Sequence, residues 1–491
     1  MIKPPTLVFL LSCFIFNAGN AEEPSIIPLP QQLSVDEGTF SINSSTKVYL
    51  SSKNPKLKSA AGYFAGLIKQ SSGIELPIDQ LSSRRDPMNA ILLVLADRDL
   101  GDEGYELAVR KNGIQITATT SQGIFYGLQS VRQLLPPQIE SSERVEGLEL
   151  HVPLVQIKDR PRYGWRGLML DESRHFFGKT YVKKLLDQMA TLKMNVFHWH
   201  LTDSPGWRLE VKKYPKLASI GGVGNHSDPK ALSAYYTQDD VREIIAYAAD
   251  RHIQVLPEID MPGHAAAACR AYPEHSGGGS KKRPDFTFNP GSRETYSFLV
   301  DVLEETAALF PAPWIHYGGD EVHSANSQWI DIPEVKALMA EHSLKNLKEV
   351  EHYFNRRMAG EIHRLGKKTV AWDEVVDTGI DPNKSIIIWW RHDVPPQLSK
   401  ALDKGYEVVL SPRRPLYFDF VQDDSHLKGR RWDGFNDLKQ VYEYPVFPAT
   451  YSEKQHKNIL GIQASMWTET VQTQERCDFM IFPRLTALAE A

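Results

Sequence analysis

The amino-acid sequence predicts an α/β protein in which a small α+β domain precedes a (β/α)8 TIM barrel. From Arg160 onward, apolar runs typical of buried strands alternate with helical segments, in units of roughly 25–50 residues. Before that point the strand patterns include a hairpin signal, which is typical of antiparallel pairing. All ten tryptophans lie at or beyond Trp165, so the two regions differ in character.

Residues 1–21 are expected to form a secretory signal peptide. Lys3 precedes an apolar run from Leu7 to Phe16, and small residues ending at Ala21 precede two glutamates. This run is too short for a stable membrane anchor, and no later segment approaches about 20 consecutive apolar residues. We therefore expect a secreted or periplasmic protein without a transmembrane segment, with a lipoprotein acylated at Cys13 as a minor alternative.

The composition argues against several classes of protein. A net charge of −5, with 24% charged and 42% hydrophobic residues, is typical neither of a nucleic-acid-binding protein nor of a disordered one. After the signal peptide only Cys269 and Cys477 remain, and either one disulfide or two buried thiols fits them. No CxxC pair indicates a metal or redox centre, no cofactor is predicted, and the oligomeric state is left open.

Residues 22–155 are predicted to form the small α+β domain. An unbroken apolar run predicts a buried strand at 90–95. Alternating segments at 105–109 and 114–118 flank Asn112-Gly113, a strong hairpin signal. Helical spacing follows over 123–135 and stops at two prolines.

Residues 156–491 are predicted to form the barrel. A doubly wound open sheet is the alternative, but its usual GxGxxG turn is absent. The sequence ends inside the predicted eighth helix, so barrel closure is left open and a truncated C-terminal end is one reading. The predicted strands are 167–170, 195–200, 254–259, 314–317, 369–372, 386–389, 407–410 and 462–466, and the predicted helices include 181–194, 238–252, 293–309 and 350–365.

Polar and aromatic residues recur at the C-terminal ends of these strands, where functional residues of such barrels lie. Aromatic rings stack on the apolar faces of sugars, and carboxylates and arginines bind hydroxyl groups, so a carbohydrate site is predicted. From the first strand to the eighth, the ends contribute Asp171 and Arg174, His200 and Asp203, Glu258 and His264, Asp320 and Glu321, Trp372, Trp389, Tyr417 and Asp419, and Trp467 and Glu469.

The end of the fourth strand carries two adjacent carboxylates, Asp320 and Glu321, after Gly318-Gly319. Neighbouring side chains on a strand point to opposite faces, so both acids can serve one site only if the backbone turns there. Retaining glycosidases ordinarily place two carboxyls about 5–5.5 Å apart on either side of the bond. Adjacent acids therefore indicate a different nucleophile.

A metal site is the competing interpretation of the second strand. His198 and His200 are two residues apart, so both could face the barrel interior, as in zinc-dependent amidohydrolases. Those enzymes need further histidines on later strands, and here the fifth and sixth strands end in Trp-Asp-Glu and Trp-Trp. We therefore predict no catalytic metal, with one of these histidines lining the site and the other packed.

Six short motifs lie at the ends of the predicted strands: Gly167-Leu-Met-Leu-Asp171-x-x-Arg174, His200-Leu-Thr-Asp203, Pro257-Glu-Ile-Asp-Met-Pro-Gly-His264, Gly318-Gly-Asp-Glu321, Trp372-Asp and Trp467-Thr-Glu469. In these motifs the chain resembles glycoside hydrolase family 20, the β-N-acetylhexosaminidases, and the resemblance extends from about residue 25 to the end. The resemblance implies an exo-acting, retaining enzyme that removes terminal non-reducing N-acetylglucosamine or N-acetylgalactosamine.

The resemblance also implies the roles of the two adjacent acids. The substrate's own 2-acetamido oxygen attacks the anomeric carbon and forms an oxazolinium intermediate, which makes the attack intramolecular. Glu321 matches the general acid and base. Asp320 matches the residue that binds the acetamido N–H and stabilises the developing positive charge.

Other matches imply binding roles around the terminal sugar. Arg174 and Glu469 would bind the hydroxyls at C3 and C4, and Asp419 the hydroxyl at C6. Tyr417 would donate a hydrogen bond to the acetamido carbonyl oxygen and orient it toward C1.

The remaining matches imply walls and support. Trp372, Trp389 and Trp467 would wall the acetamido pocket. Asp203 and His264 would tune Glu321, with a purely structural pair as the alternative.

Two other classes of protein stay open at this point. One is a non-catalytic sugar-binding barrel, and the less favoured one is a metal-dependent amidohydrolase. The natural substrate is also open among chitin fragments, N-glycans, glycosaminoglycans and cell-wall sugars, because aglycone preference lies in loops such as 221–236, 273–290 and 420–458.

Overall fold

The computed structural model describes residues 25–82, 87–444 and 451–491. The predicted signal peptide lies outside these residues. Two units follow each other along the chain, a seven-stranded sheet with two helices and an eight-stranded closed barrel. In the described part of the chain, no helix has the length and apolar character needed to cross a bilayer.

The first unit is a mixed sheet with helices on one face. Its strands run in the order β1-β7-β5-β6-β4-β2-β3. The predicted hairpin is β5-β6, which closes at Arg110 opposite Gly113. The strands are β1 (Gln32–Ile42), β2 (Lys47–Leu50), β3 (Ile78–Gln80), β4 (Ala90–Leu95), β5 (Tyr105–Arg110), β6 (Gly113–Ala118) and β7 (Leu150–Asp159), and the helices are α1 (Pro55–Ser72) and α2 (Ser121–Leu134).

The end of β7 moves the domain boundary. This strand continues to Asp159 and pairs with both β1 and β5, so the predicted boundary between residues 155 and 156 falls inside a strand. The connection to the barrel lies at residues 160–164, before Trp165. The boundary differs because Val155 and Ile157 are buried in the core of the first unit. Their apolar character alone does not show which of the two domains buries them.

The second unit confirms the predicted TIM barrel. Eight parallel strands close on one another, and the last strand pairs with the first from Gly461↔Trp165 to Met466↔Leu170, which answers the open question of closure. The strands are β8 (Trp165–Asp171), β9 (Val196–His200), β10 (Gln254–Met261), β11 (Trp314–Gly318), β12 (Lys368–Trp372), β13 (Ser385–Trp389), β14 (Glu407–Leu410) and β15 (Ile459–Met466).

Helices of very different length surround the barrel. Four of them match the predicted helices closely, and Arg293–Leu309 has the predicted bounds. In chain order they are α3 (Lys179–Thr191), α4 (Gln238–Ala249), α5 (Ala266–Ala271), α6 (Arg293–Leu309), α7 (Pro333–Glu341), α8 (Leu347–Arg364), α9 (Pro395–Asp403), α10 (Arg413–Leu416), α11 (Leu438–Tyr442), α12 (Glu453–Asn458), α13 (Gln474–Ile481) and α14 (Arg484–Glu490).

Side chains alternate between two cores, as the strand period of two requires. Met169, Val196 and Leu256 belong to the cluster inside the barrel, whereas Leu168 and Phe197 pack outward against the helices. The barrel interior holds this apolar cluster together with fully buried polar side chains, which include His198, Glu258, His316 and Gln463. Cys269 and Cys477 are both free buried thiols, which settles the question of a disulfide between them.

Candidate active site

A cavity of about 320 Å³ opens at the C-terminal ends of the barrel strands. Its walls combine charge with aromatic rings, as expected of a site that binds a sugar. Its charged lining residues are Arg174, Arg283, Arg413, Arg430, Asp203, Asp320, Glu321 and Glu469, and its aromatic ones include Phe286, Trp372, Trp390, Tyr417, Trp432 and Trp467.

A sharp backbone turn brings both adjacent acids to this cavity. The strand ends at Gly318, and Gly318 and Gly319 have φ of 73° and 91°, a region that glycine adopts easily. A Cβ on Gly318 would lie 1.8 Å from Oδ1 of Asp260, so no other residue fits there without displacement. Glu321 itself has φ of 53°. The turn that the sequence required for a shared site is therefore present.

His264 lies between the acids and a third carboxylate. Its Nε2 is 3.3 Å from Oδ2 of Asp320 and 3.8 Å from Oε2 of Glu321, and its Nδ1 is 3.0 Å from Oδ1 of Asp203. Burial alone would lower the pKa of His264, but Asp203, Asp320 and Asp260 outweigh it and raise that pKa well above its usual value. His264 is therefore an imidazolium that links Asp203 to the two acids.

Asp203 connects this group to the sugar-facing arginine. Its Oδ2 is 2.6 Å from Nη2 of Arg174 and 3.1 Å from Nε2 of His200. Burial opposes ionisation of Asp203, but the charges of Arg174 and His264 hold its pKa well below its usual value. The predicted pair Asp203–His264 is thus part of a larger network of charged side chains.

This network of charged side chains extends through His200 to Glu258 in the barrel interior. Glu258 is fully buried and hydrogen-bonds with Nδ1 of His200. It also lies 3.0 Å from His198 Nε2 and from His316 Nδ1, and it accepts a 2.9 Å hydrogen bond from Trp372 Nε1. His198 and His200 both face the interior, and neither lines the cavity. Glu258 lies within β10, and the sequence does not show that it joins these histidines to the ring of Trp372.

The aromatic wall is formed by Trp372, Trp390, Tyr417 and Trp467. The rings of Trp390 and Tyr417 are nearly parallel, with centroids 6.2 Å apart, and Trp467 lies 5.9 Å from both Trp372 and Tyr417. Trp389 does not line the cavity: it is the last residue of β13 and packs with the outer cluster, whereas the next residue reaches the cavity. The prediction that Trp389 walls the pocket is therefore corrected to Trp390.

A second group of charged side chains consists of Arg174, Glu469, Arg430 and Asp419. Arg174 Nη2 is 3.8 Å from Oε1 of Glu469, and its guanidinium lies over the ring of Trp467 at 4.9 Å. Arg430 contacts Glu469 and lies 2.7 Å from Oδ2 of Asp419. Asp419 is fully buried behind Arg430 and is not among the lining residues, so it meets the cavity only through its neighbours. Arg430 comes from a long loop and has no sequence signal.

Buried acids flank this site without lining the cavity. Burial, and then the nearby charge of Asp320, raises the pKa of Asp260 well above its usual value. Burial, and then Asp373, raises the pKa of Glu374 in the same way. Glu374 accepts a 3.0 Å hydrogen bond from Trp390 Nε1 and so orients that ring.

Among the described residues, three buried groups have the donor types that bind a metal ion. In each, the ligand atoms lie within 4.8 Å of one another. Two of them use His264 or His200, whose pKa is raised well above its usual value, so a metal ion there would have to displace a proton from the imidazole. The groups are His198, Glu258 and His316; His200, Asp203 and Asp260; and Asp260, His264 and Asp320.

Comparisons with known proteins agree with this geometry. The catalytic-domain model of glycosyl hydrolase family 20 matches residues 163–491, and the model of that family's domain 2 matches residues 23–160. A β-hexosaminidase of Porphyromonas gingivalis is 36% identical over 476 residues, which cover 95% of this chain and 60% of that protein. A β-hexosaminidase of Vibrio furnissii is 35% identical over 494 residues, covering 96% of this chain and 77% of that protein.

A solved structure is also similar over nearly the whole chain. It is the family 20 exo-β-N-acetylglucosaminidase of Vibrio harveyi in complex with N-acetylglucosamine. The TM-score is 0.84 at 32% identity, and the match covers 95% of this chain and 73% of that one. Because the family models span both structural units and the relatives match across them, the chain belongs to glycosyl hydrolase family 20.

Proposed function

We propose that this protein is an exo-acting β-N-acetylhexosaminidase that releases terminal N-acetylglucosamine or N-acetylgalactosamine with retention. The observation that carries the proposal is the turn after β11, which brings Asp320 and Glu321 together at a cavity walled by aromatic rings. Membership of glycosyl hydrolase family 20 supports the same activity. The chain spans 60% of the length of its Porphyromonas gingivalis relative.

In the first step, the acetamido oxygen of the substrate attacks C1 while Glu321 protonates the leaving oxygen. Tyr417 donates a hydrogen bond to the acetamido oxygen and aims it at C1. Burial raises the pKa of Tyr417 well above its usual value, so this hydroxyl keeps its proton at neutral pH. Asp320 accepts a hydrogen bond from the acetamido N–H and balances the positive charge that forms there.

In the second step, Glu321 takes a proton from water, which attacks C1 and opens the oxazolinium ring. Two displacements at the same carbon give net retention. Trp372, Trp390 and Trp467 enclose the acetamido group and exclude bulk water, so the intramolecular attack competes with hydrolysis. Arg174 and Glu469 hold the sugar hydroxyls on the opposite side.

The test compares two 4-nitrophenyl β-glycosides that differ only at C2. We expect turnover of the N-acetylglucosaminide and at least 100-fold less of the glucoside, because the glucoside lacks the nucleophile. A thiazoline analogue of the oxazoline should inhibit competitively. Binding of the N-acetylglucosaminide without release of nitrophenol would instead favour a sugar-binding barrel.

The metal-dependent amidohydrolase makes the opposite predictions. It would release acetate rather than nitrophenol, and a chelator would abolish that release. We further propose that the enzyme acts outside the cytoplasm, a proposal that rests on the composition of residues 1–21.

A further inference from the structure

An arginine that the proposed reaction does not use lies directly on the general acid. Arg283 Nη1 is 2.7 Å from Oε2 of Glu321 and 3.1 Å from Oγ of Ser324. Both contacts use one nitrogen, so within the described chain Nε and Nη2 make no hydrogen bond to the protein. The Arg283 side chain is 42% exposed, whereas that of Arg174 in the sugar-facing wall is 10% exposed.

This arginine lies on the leaving-group side of the site. Glu321 must reach the oxygen that joins the terminal sugar to the rest of the substrate. A guanidinium within hydrogen-bond distance of Glu321 is therefore within one sugar of that oxygen. Arg174, by contrast, contacts Asp203 and Trp467 on the terminal-sugar side.

The position of Arg283 is fixed by packing. Its guanidinium lies 5.0 Å from the ring centre of Phe286, and that ring meets His264 edge-on at 4.6 Å. The backbone of Arg283 closes a tight turn with Ser280 through two hydrogen bonds of 2.9 and 3.1 Å. A charge that is held in this way loses less conformational entropy when it binds a ligand.

The same turn concentrates positive charge. Lys281 and Lys282 stand at its tip, exposed and adjacent to Arg283. The nearest acid along the chain, Asp285, accepts a 2.7 Å hydrogen bond from Ser276 and is directed into its own loop. Two other arginines that line the cavity each have two carboxylate partners, Arg413 with Asp393 and Asp433, and Arg430 with Asp419 and Glu469. Arg283 has one among the described residues, Glu321.

We propose that Arg283 and the basic turn 280–283 select substrates whose leaving sugar carries a carboxylate or a sulfate. This proposal rests on the proposed function and concerns the chemical class of the sugar that leaves. An anionic group on that sugar would pair with Nε and Nη2 of Arg283 in the fork geometry that guanidinium groups favour. Lys281 and Lys282 would attract the anionic substrate over a longer distance, and this attraction would weaken as the salt concentration rises.

The experiment uses disaccharides that differ by one anionic group. Chitobiose is compared with its counterpart that carries a 3-O-lactyl carboxylate on the reducing sugar. Two further substrates, one with a reducing-end uronate and one with a sulfate, tell the sources of charge apart. We expect kcat/KM to be roughly fivefold higher for an anionic substrate than for its neutral partner, a ratio typical of a partly exposed ion pair.

Substitutions then assign the preference to Arg283. In Arg283→Gln the ratio of anionic to neutral kcat/KM should fall toward one, and Arg283→Lys should keep part of it. The control is Arg242→Gln, which removes an exposed charge on α4 that pairs with Asp239. Because Arg283 touches Glu321, only the ratio and not the absolute rate is diagnostic.

The outcomes are separable from those of the proposed function. If wild-type protein hydrolyses chitobiose at least as fast as every anionic counterpart, this inference is wrong and the hexosaminidase proposal stands. An equal ratio in wild type and Arg283→Gln would also overturn it. Absence of turnover on any N-acetylhexosaminide would overturn both.

Discussion

Asp320 and Glu321 are neighbours in sequence, but their surroundings differ. The side chain of Asp320 is 13% exposed and faces His264 and Asp260, whereas that of Glu321 is 36% exposed and faces Arg283 and the mouth of the cavity. A group that protonates varied leaving sugars needs the open position. A group that holds one invariant acetamide needs the enclosed position.

The first prediction concerns the acid. In Glu321→Gln the leaving oxygen receives no proton, so the loss of kcat/KM should depend on how much the leaving group needs one. We expect a loss of about 10²–10⁴-fold for chitobiose and a much smaller loss for a 2,4-dinitrophenyl glycoside. The measurement is kcat/KM against leaving-group pKa, and equal losses would exclude Glu321 as the acid.

The second prediction concerns pH. His264 has a raised pKa, so its contribution to stability and to the site is present below the unfolded value near 6.5 and is lost as pH rises through the folded value. Asp203 has a depressed pKa, so its contribution is present above about 3.8 and is lost as pH falls through its folded value. Between these two pH limits, His264 carries a positive charge and Asp203 a negative one.

Asp203→Asn removes the largest charge that raises the pKa of His264. We therefore expect the alkaline limb of the kcat/KM profile to move to lower pH, with a smaller change at the acid limb. Asp187→Asn, which removes an acid paired with Arg251 away from the cavity, is the control. If the two variants have the same profile as wild type, the Asp203–His264 pair is only structural.

At the scale of elements, the sequence predicts the barrel strands and most of their last residues, but it does not predict which side chains beyond those ends reach the cavity. All eight barrel strands were predictable from apolar runs, although β8 begins at Trp165 rather than 167 and β15 at Ile459 rather than 462. The Trp389–Trp390 pair shows this limit. β13 ends at Trp389 as predicted, but the ring that lines the cavity is that of Trp390, beyond the strand, where the strand period of two no longer gives the direction of a side chain.

Contacts from loops escaped prediction for a different reason. Arg430 meets Glu469 across 39 residues, and Arg283 meets Glu321 across 38. Neither loop has periodicity, so nothing local relates these arginines to the strand ends. The family motifs supply the acids but do not include these two arginines.

The turn after β11 allows a matched test of this element. Gly318 and Gly366 have φ of 73° and 75°, so alanine is strained equally at both, by about 1–2 kcal/mol. A Cβ meets nothing within 4 Å at Gly366 but would lie 1.8 Å from Asp260 Oδ1 at Gly318. We expect Gly318→Ala to lower the free energy of unfolding well beyond Gly366→Ala and to abolish activity. Equal stability by urea denaturation would contradict this account of the turn.

At the scale of the molecule, a buried polar contact joins the two units. Glu103 of the first unit accepts hydrogen bonds of 3.0 and 2.9 Å from Nη1 and Nη2 of Arg166 on β8, and Asp159 lies 3.2 Å from Nζ of Lys193. The Arg166 and Glu103 side chains are 11% and 17% exposed. These contacts lie at the N-terminal end of the barrel, where residues serve stability rather than catalysis.

The last prediction separates stability from chemistry. Glu103→Gln leaves the Arg166 guanidinium buried without its carboxylate, which typically costs about 3–5 kcal/mol. The control is Glu106→Gln, whose exposed contacts with Arg98 and Lys158 are 3.6 and 4.0 Å long and should contribute under about 1 kcal/mol. Urea unfolding should show a large loss for Glu103→Gln, while kcat of the folded variant on the aryl glycoside should equal that of wild type, because the contact lies at the opposite end of the barrel from Glu321. A fall in kcat without loss of stability would instead show that the first unit acts on the site through Arg166.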